Sequence, residues 1–115
     1  MTILVIEDDS AVLSLVERLL GARGHTILTA HDADDASIVL AQHGAPPDLL
    51  LADIMLGGQT GVQYARSLKE SHPALKVIFM TALAGRAAEA LRTGLGPVLH
   101  KPFGAEELYR TIDER

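Results

Sequence analysis

Asp53 closes the apolar run Leu49, Leu50, Leu51 and Ala52, and a Gly-rich stretch with Gly57, Gly58 and Gly61 follows. Such a run is the pattern of a parallel strand buried on both faces. A carboxylate so close to apolar surroundings needs a reason, because an unpaired buried charge is costly and takes up a proton instead. Either Asp53 caps the turn that follows, or it does chemistry. Other chemically capable residues stand at matching places: Glu7 and Asp8 after residues 2–6, Thr81 after 76–80, and Lys101 after 97–100. Singly, each has an ordinary role, as acids starting a helix, a cap, or a solvated lysine. At the ends of separate strands in one parallel sheet, they converge on a single edge. Three carboxylates there repel, so either some protonate or a hard cation joins them. An oxygen-only donor set without Cys or His points to Mg²⁺, which keeps several waters and binds where phosphate oxygens complete its shell. An ammonium and a hydroxyl donor beside such a cation suit phosphoryl transfer. Asp53 would be the nucleophile, and an acyl phosphate the product.

The elements that must position these residues follow from periodicity. Residues 2–6 read as a strand, and Asp9 or Ser10 caps a helix with Val12, Leu13, Leu15, Val16, Leu19 and Leu20 at helical spacing, ending near residues 21–24. Residues 26–30 form a second strand, and Asp32 caps a helix carrying Ala36, Ile38, Val39 and Leu40. Pro46 and Pro47 force an extended lead into the Asp53 strand. A helix over 62–71 with Val62, Ala65 and Leu68 on one face comes next, then a strand over 76–80. A short Ala-rich helix spans about 86–93, closed by Gly94, before a fifth strand over 97–100 and a closing helix over 105–114 with Leu108 and Ile112 inward. Five strands alternating with five helices predict an α/β fold with a five-stranded parallel sheet, doubly wound. Of the two common strand orders, flavodoxin-like 2-1-3-4-5 fits, because Glu7, Asp8 and Asp9 stand where a dinucleotide-binding chain needs its glycines.

The composition excludes several function classes. At 115 residues the chain is long enough for one core, and 48% hydrophobic residues with 3% aromatics make that core aliphatic. The absence of cysteine removes disulfides, thiolate sites and cysteine nucleophiles. A formal charge of -5 argues against a nucleic-acid groove. His25, His31, His43, His72 and His100 include no i, i+4 pair, which disfavours a histidine zinc site. No apolar run has the ~20 residues of a membrane span, and residues 1–3 lack a leader's charged start, so a cytoplasmic, soluble chain is expected.

Over essentially its whole length the chain resembles the receiver domain of two-component response regulators. The resemblance rests on Ile-Leu-Val-Ile-Glu-Asp-Asp from Ile3, and on Pro-Asp-Leu-Leu-Leu-Ala-Asp-Ile-Met-Leu from Pro47 with Gly61 beyond. Val-Ile-Phe-Met-Thr-Ala from Val77 and Lys-Pro-Phe from Lys101 complete it. It implies one receiver domain over residues 1–115, a signalling switch rather than an enzyme. Asp53 would accept a phosphoryl group from a sensor histidine kinase or a histidine phosphotransfer protein. It further implies that Asp8, Asp53 and the backbone carbonyl of Met55 ligate Mg²⁺, with Glu7 helping through water, and that Thr81 and Lys101 bind the phosphoryl oxygens. The Lys101-Pro102 bond would be cis. A downstream protein target is implied without being identified, and the chain is expected to be a monomer or weak dimer. The first strand's start at Met1 favours a stand-alone regulator over a piece of a larger one.

Three positions depart from the family pattern. Val98 stands three residues before Lys101, where an aromatic is usual; Gly57 takes the place of a proline; and the segment from Thr81 to Lys101 is shorter, predicting a short or irregular fourth helix. Val98 motivates an alternative, a phosphorylation-independent interaction module on the same fold. A phosphohydrolase with an aspartyl nucleophile is disfavoured, because such enzymes pair the nucleophile with an acid two residues on, here Met55. Met55 and Leu83 supply no side-chain acid or base beside the expected water path, so self-dephosphorylation is expected to be slow.

Overall fold

The computed structural model describes residues 1–56 and 59–114. Gly57, where the family's proline is replaced, lies outside the described residues. Five strands, β1 (Thr2–Ile6), β2 (Thr26–Ala30), β3 (Leu49–Asp53), β4 (Lys76–Thr81) and β5 (Val98–His100), alternate with five helices. These are α1 (Ser10–Gly21), α2 (Ala33–His43), α3 (Gly61–Ser71), α4 (Ala84–Arg92) and α5 (Ala105–Asp113). All strand pairs are parallel and the order is β2-β1-β3-β4-β5, so the flavodoxin-like expectation holds.

The sheet is buried on both faces, and each face has its own core. Leu4, Ile6, Leu50, Ala52, Val77 and Phe79 pack toward Ala36, Ala65 and Ala90 of α2, α3 and α4. Ile3, Val5, Leu49, Leu51, Ile78 and Met80 pack toward Leu13, Val16, Leu108 and Ile112 of α1 and α5. Strand side chains alternate with period two, so each central strand needs apolar residues at every position. Residues 49–52 are accordingly fully buried.

Helix starts follow local chemistry. Asp9 and Asp32 cap α1 and α2 by accepting backbone N–H bonds, as their residue types predict. Thr60 caps α3 in a capping box with Gln63, the Thr-x-x-Gln spacing that such a box requires. The fourth helix begins at Ala84 rather than near residue 86, and it is a regular α-helix of nine residues. Its N-cap, Leu83, makes no side-chain capping bond, so no residue type marked the start. Strand β5 begins one residue later than predicted, at Val98. Leu15 and Ile38, among the apolar residues of α1 and α2, are 38% and 58% exposed, whereas Tyr64 of α3 is buried. A stripe covers only about a third of a helix, so apolar residues flanking it remain in water.

Candidate functional site

Strand register brings the polar residues together. Ile6 pairs with Ala52, so Glu7 and Asp53 leave adjacent strands at one level. Asp53 pairs with Met80, which puts Thr81 one residue further along, and Thr81 pairs with His100, which precedes Lys101. Alternation decides where each side chain points. Glu7 continues the series of Ile3 and Val5, Asp53 that of Leu49 and Leu51, and Lys101 that of Leu99, all on the α1/α5 face. Thr81 continues Val77 and Phe79 on the other face.

The contacts agree with that parity. The Lys101 ammonium donates to Glu7 Oε1 and to Asp53 Oδ2, linking the ends of β1, β3 and β5. Thr81 joins neither; its Oγ1 accepts from the Leu83 backbone N–H at 3.1 Å. Glu7, Asp53 and Thr81 are 0%, 7% and 1% exposed, and they are the buried polar side chains among the described residues. Every one of them stands at this one edge. The Lys101-Pro102 bond is cis, as expected.

Asp53 also fulfils the plainer expectation. Its Oδ1 accepts the Met55 backbone N–H at 2.8 Å, an Asx-type turn that ties the Met55 backbone to the carboxylate. Gly61 packs against the same strand end. Its N–H donates to Ile54 O at 2.8 Å, and a Cβ there would lie 2.1 Å from the Asp53 carbonyl oxygen, so only glycine lets α3 begin this close to the strand. This close approach was not legible from sequence, where Gly61 registered only as part of a family pattern.

The electrostatics follow from crowding under partial burial. Burial raises Glu7 above the usual carboxylate range, opposed by the Lys101 hydrogen bond. Burial alone would lower Lys101, but its bonds to Asp53 and Glu7 outweigh this and hold it above an ordinary lysine. One ammonium against three acids leaves the cluster negative. Oxygens of Glu7, Asp8 and Asp53 lie within 4.8 Å of one another, with Asp8 the exposed member. Three hard oxygen donors at this spacing, open to water on one side, fit Mg²⁺. The Met55 main chain lies against the same carboxylate.

Comparison with known proteins follows the same line. The family described as the response regulator receiver domain matches residues 3–113. The transcriptional regulator NtrC of Salmonella typhimurium is 33% identical over 111 residues, covering 95% of this chain and 23% of NtrC. CpxR of Klebsiella pneumoniae is 34% identical over 112 residues, covering 96% of this chain and 47% of CpxR. The chain thus spans a quarter to a half of these relatives. Among solved structures, the receiver domain of NtrX from Brucella abortus superposes with a TM-score of 0.85 at 31% identity, covering 97% of this chain and 95% of that one. A receiver domain protein from Clostridium thermocellum gives 0.86 at 27%, covering 98% and 91%.

Proposed function

The chain belongs to the response regulator receiver domains, and we propose that Asp53 is its phosphoacceptor, taking a phosphoryl group from a histidine kinase or a histidine phosphotransfer protein. The observation that carries this reading is the gathering, at one sheet edge, of the three buried polar side chains among the described residues, with Lys101. A fold has no structural need to bury that many polar groups in one place.

In the proposed step an Asp53 carboxylate oxygen attacks phosphorus, the bond from phosphorus to the donor imidazole nitrogen breaks, and the imidazole leaves with a proton. Met55 N–H and Lys101 orient the carboxylate beforehand, which limits the entropy lost on reaching the attacking geometry. Lys101 then turns from a carboxylate toward the arriving phosphoryl oxygens. Thr81 Oγ1 accepts from Leu83, which leaves its own O–H free to donate to that group. Glu7, Asp8, Asp53 and the Met55 carbonyl would hold Mg²⁺, Glu7 through water, and the bound cation supplies charge neutralisation for the phosphoryl oxygens. Product binding changes the loops after β3, β4 and β5, and a partner reads the altered face.

The test is incubation with a small-molecule phosphodonor and Mg²⁺. Intact-mass analysis should show one phosphoryl group on the wild type and none on Asp53→Asn. No uptake by the wild type, or equal uptake by the variant, rules the reading out. Because Met55 and Leu83, 43% and 52% exposed, offer no group to activate water, the acyl phosphate should be long-lived; loss within seconds contradicts this.

Val98 favours a second reading. It packs, partly buried, against the α2/α3/α4 core and has no aromatic ring to swing with Thr81. A module that binds its partner constitutively would have the same affinity with and without phosphate on Asp53, which a binding titration of the two forms distinguishes.

A further inference from the structure

The side chain two residues beyond Asp53 is a thioether, and its surroundings make it more than a filler. We infer that Met55 is an oxidation site whose conversion to the sulfoxide shortens the life of the phosphorylated state. This rests on the reading of Asp53 above and adds a second chemical input to the same site.

The chain has three methionines. Met80 pairs with Asp53 in the sheet but is 0% exposed, so it is shielded from solvent oxidants. Met55 is 43% exposed, and its N–H is bonded to Asp53 Oδ1, which fixes its backbone against the reacting carboxylate. Met1 is 42% exposed but stands at the opposite end of β1 from Glu7, far from the chemistry. Of the two open thioethers, only the one at Met55 can affect the site.

The step is oxygen transfer from a peroxide: the O–O bond breaks, a sulfur–oxygen bond forms at Met55 Sδ, and water or an alcohol leaves. The product is a polar, chiral side chain where an apolar one stood. An acyl phosphate is lost when water attacks phosphorus, and the exposed side chains of Met55 and Leu83, two residues beyond Asp53 and Thr81, carry no group that could hold that water. A sulfoxide oxygen is a strong hydrogen-bond acceptor and can hold a water molecule at that rim. It is not a general base, so the acceleration stays well below the ~10² that a positioned base adds; about three- to tenfold is expected.

The experiment treats the protein with dilute hydrogen peroxide, maps the added oxygen by peptide mass analysis, then phosphorylates it with a small-molecule phosphodonor and follows loss of phosphate. Oxygen on Met55 well before Met80, a half-life shortened about three- to tenfold, no peroxide effect in Met55→Leu, and a short half-life in untreated Met55→Gln support the inference. Normal uptake with an unchanged half-life after oxidation of Met55 overturns it, as does equal shortening in peroxide-treated Met55→Leu or oxidation of Met80 alongside Met55. No phosphate on the untreated protein overturns the reading of Asp53 and this inference with it.

Discussion

At the scale of residues, the site is a balance of one ammonium against crowded acids. Lys101 bonds to both Glu7 and Asp53, and Glu7 has no exposed surface through which water could replace it. Removing one partner of a buried pair costs far more than the pair contributes, because the survivor keeps its charge without compensation. Lys101→Met should therefore lower stability by about 3 kcal/mol in urea unfolding without added metal. Combining it with Glu7→Gln should recover at least about 1 kcal/mol, since the loss comes from the charge left behind. A double variant as unstable as the two losses summed would contradict this account. Asp53 forms the turn through Oδ1 and meets Lys101 through Oδ2, so the turn-forming role and the proposed reactive one fall on different oxygens of one side chain.

At the scale of elements, close contacts and open ones behave oppositely. In Gly61→Ala the new methyl meets the Asp53 carbonyl, so α3 must shift away from β3; about 2 kcal/mol of stability should be lost, with slower phosphoryl uptake at Asp53. Gly85, in the first turn of α4, has nothing within 4 Å of an added Cβ, so Gly85→Ala should stabilise by about 0.5–1 kcal/mol. Thermal or urea unfolding of the two variants side by side checks both signs. The same helix explains a displaced boundary: Leu83 makes no side-chain cap, and a helix start without a capping residue leaves no mark in sequence. Tyr64 gives a pH test of α3 packing. Burial raises its phenol above the ordinary range, with the neighbouring Ser37 hydroxyl opposing. A raised folded-state value means full stability below the unfolded value of about 10 and loss as pH rises from there through the higher folded-state value. Relative to Tyr64→Phe, the wild type should hold its stability up to the unfolded value of about 10 and lose it as pH rises further.

For the whole molecule, the parallel sheet converts strand ends into a shared edge. Glu7, Asp53 and Lys101 lie far apart in the chain yet meet because β1, β3, β4 and β5 lie in spatial order and run the same way. The proposed cation site makes this edge a source of stability as well as chemistry. Mg²⁺ that binds the folded chain alone should raise its stability by about 1.4 kcal/mol at ten times the dissociation constant. Differential scanning calorimetry with Mg²⁺ and with chelator should show this in the wild type and a smaller rise in Asp8→Asn. Equal rises in both would remove Asp8 from the ligand set.

Periodicity and punctuation by themselves determined the element order, the parallel sheet and the identity of the polar strand ends, because a strand buried on both faces must be apolar until it stops, and the stop is visible. The residue types at those ends pointed to phosphoryl transfer, and the resemblance added the phosphodonor and the expected ligand set. Only the tertiary structure decided which groups touch: Lys101 bridges Glu7 and Asp53 while Thr81 turns to Leu83, because register and side-chain parity between strands far apart in sequence are properties of their pairing. It also decided that Gly61 must lack a side chain and that Ile38 and Leu15 face water, since both depend on what another element brings alongside.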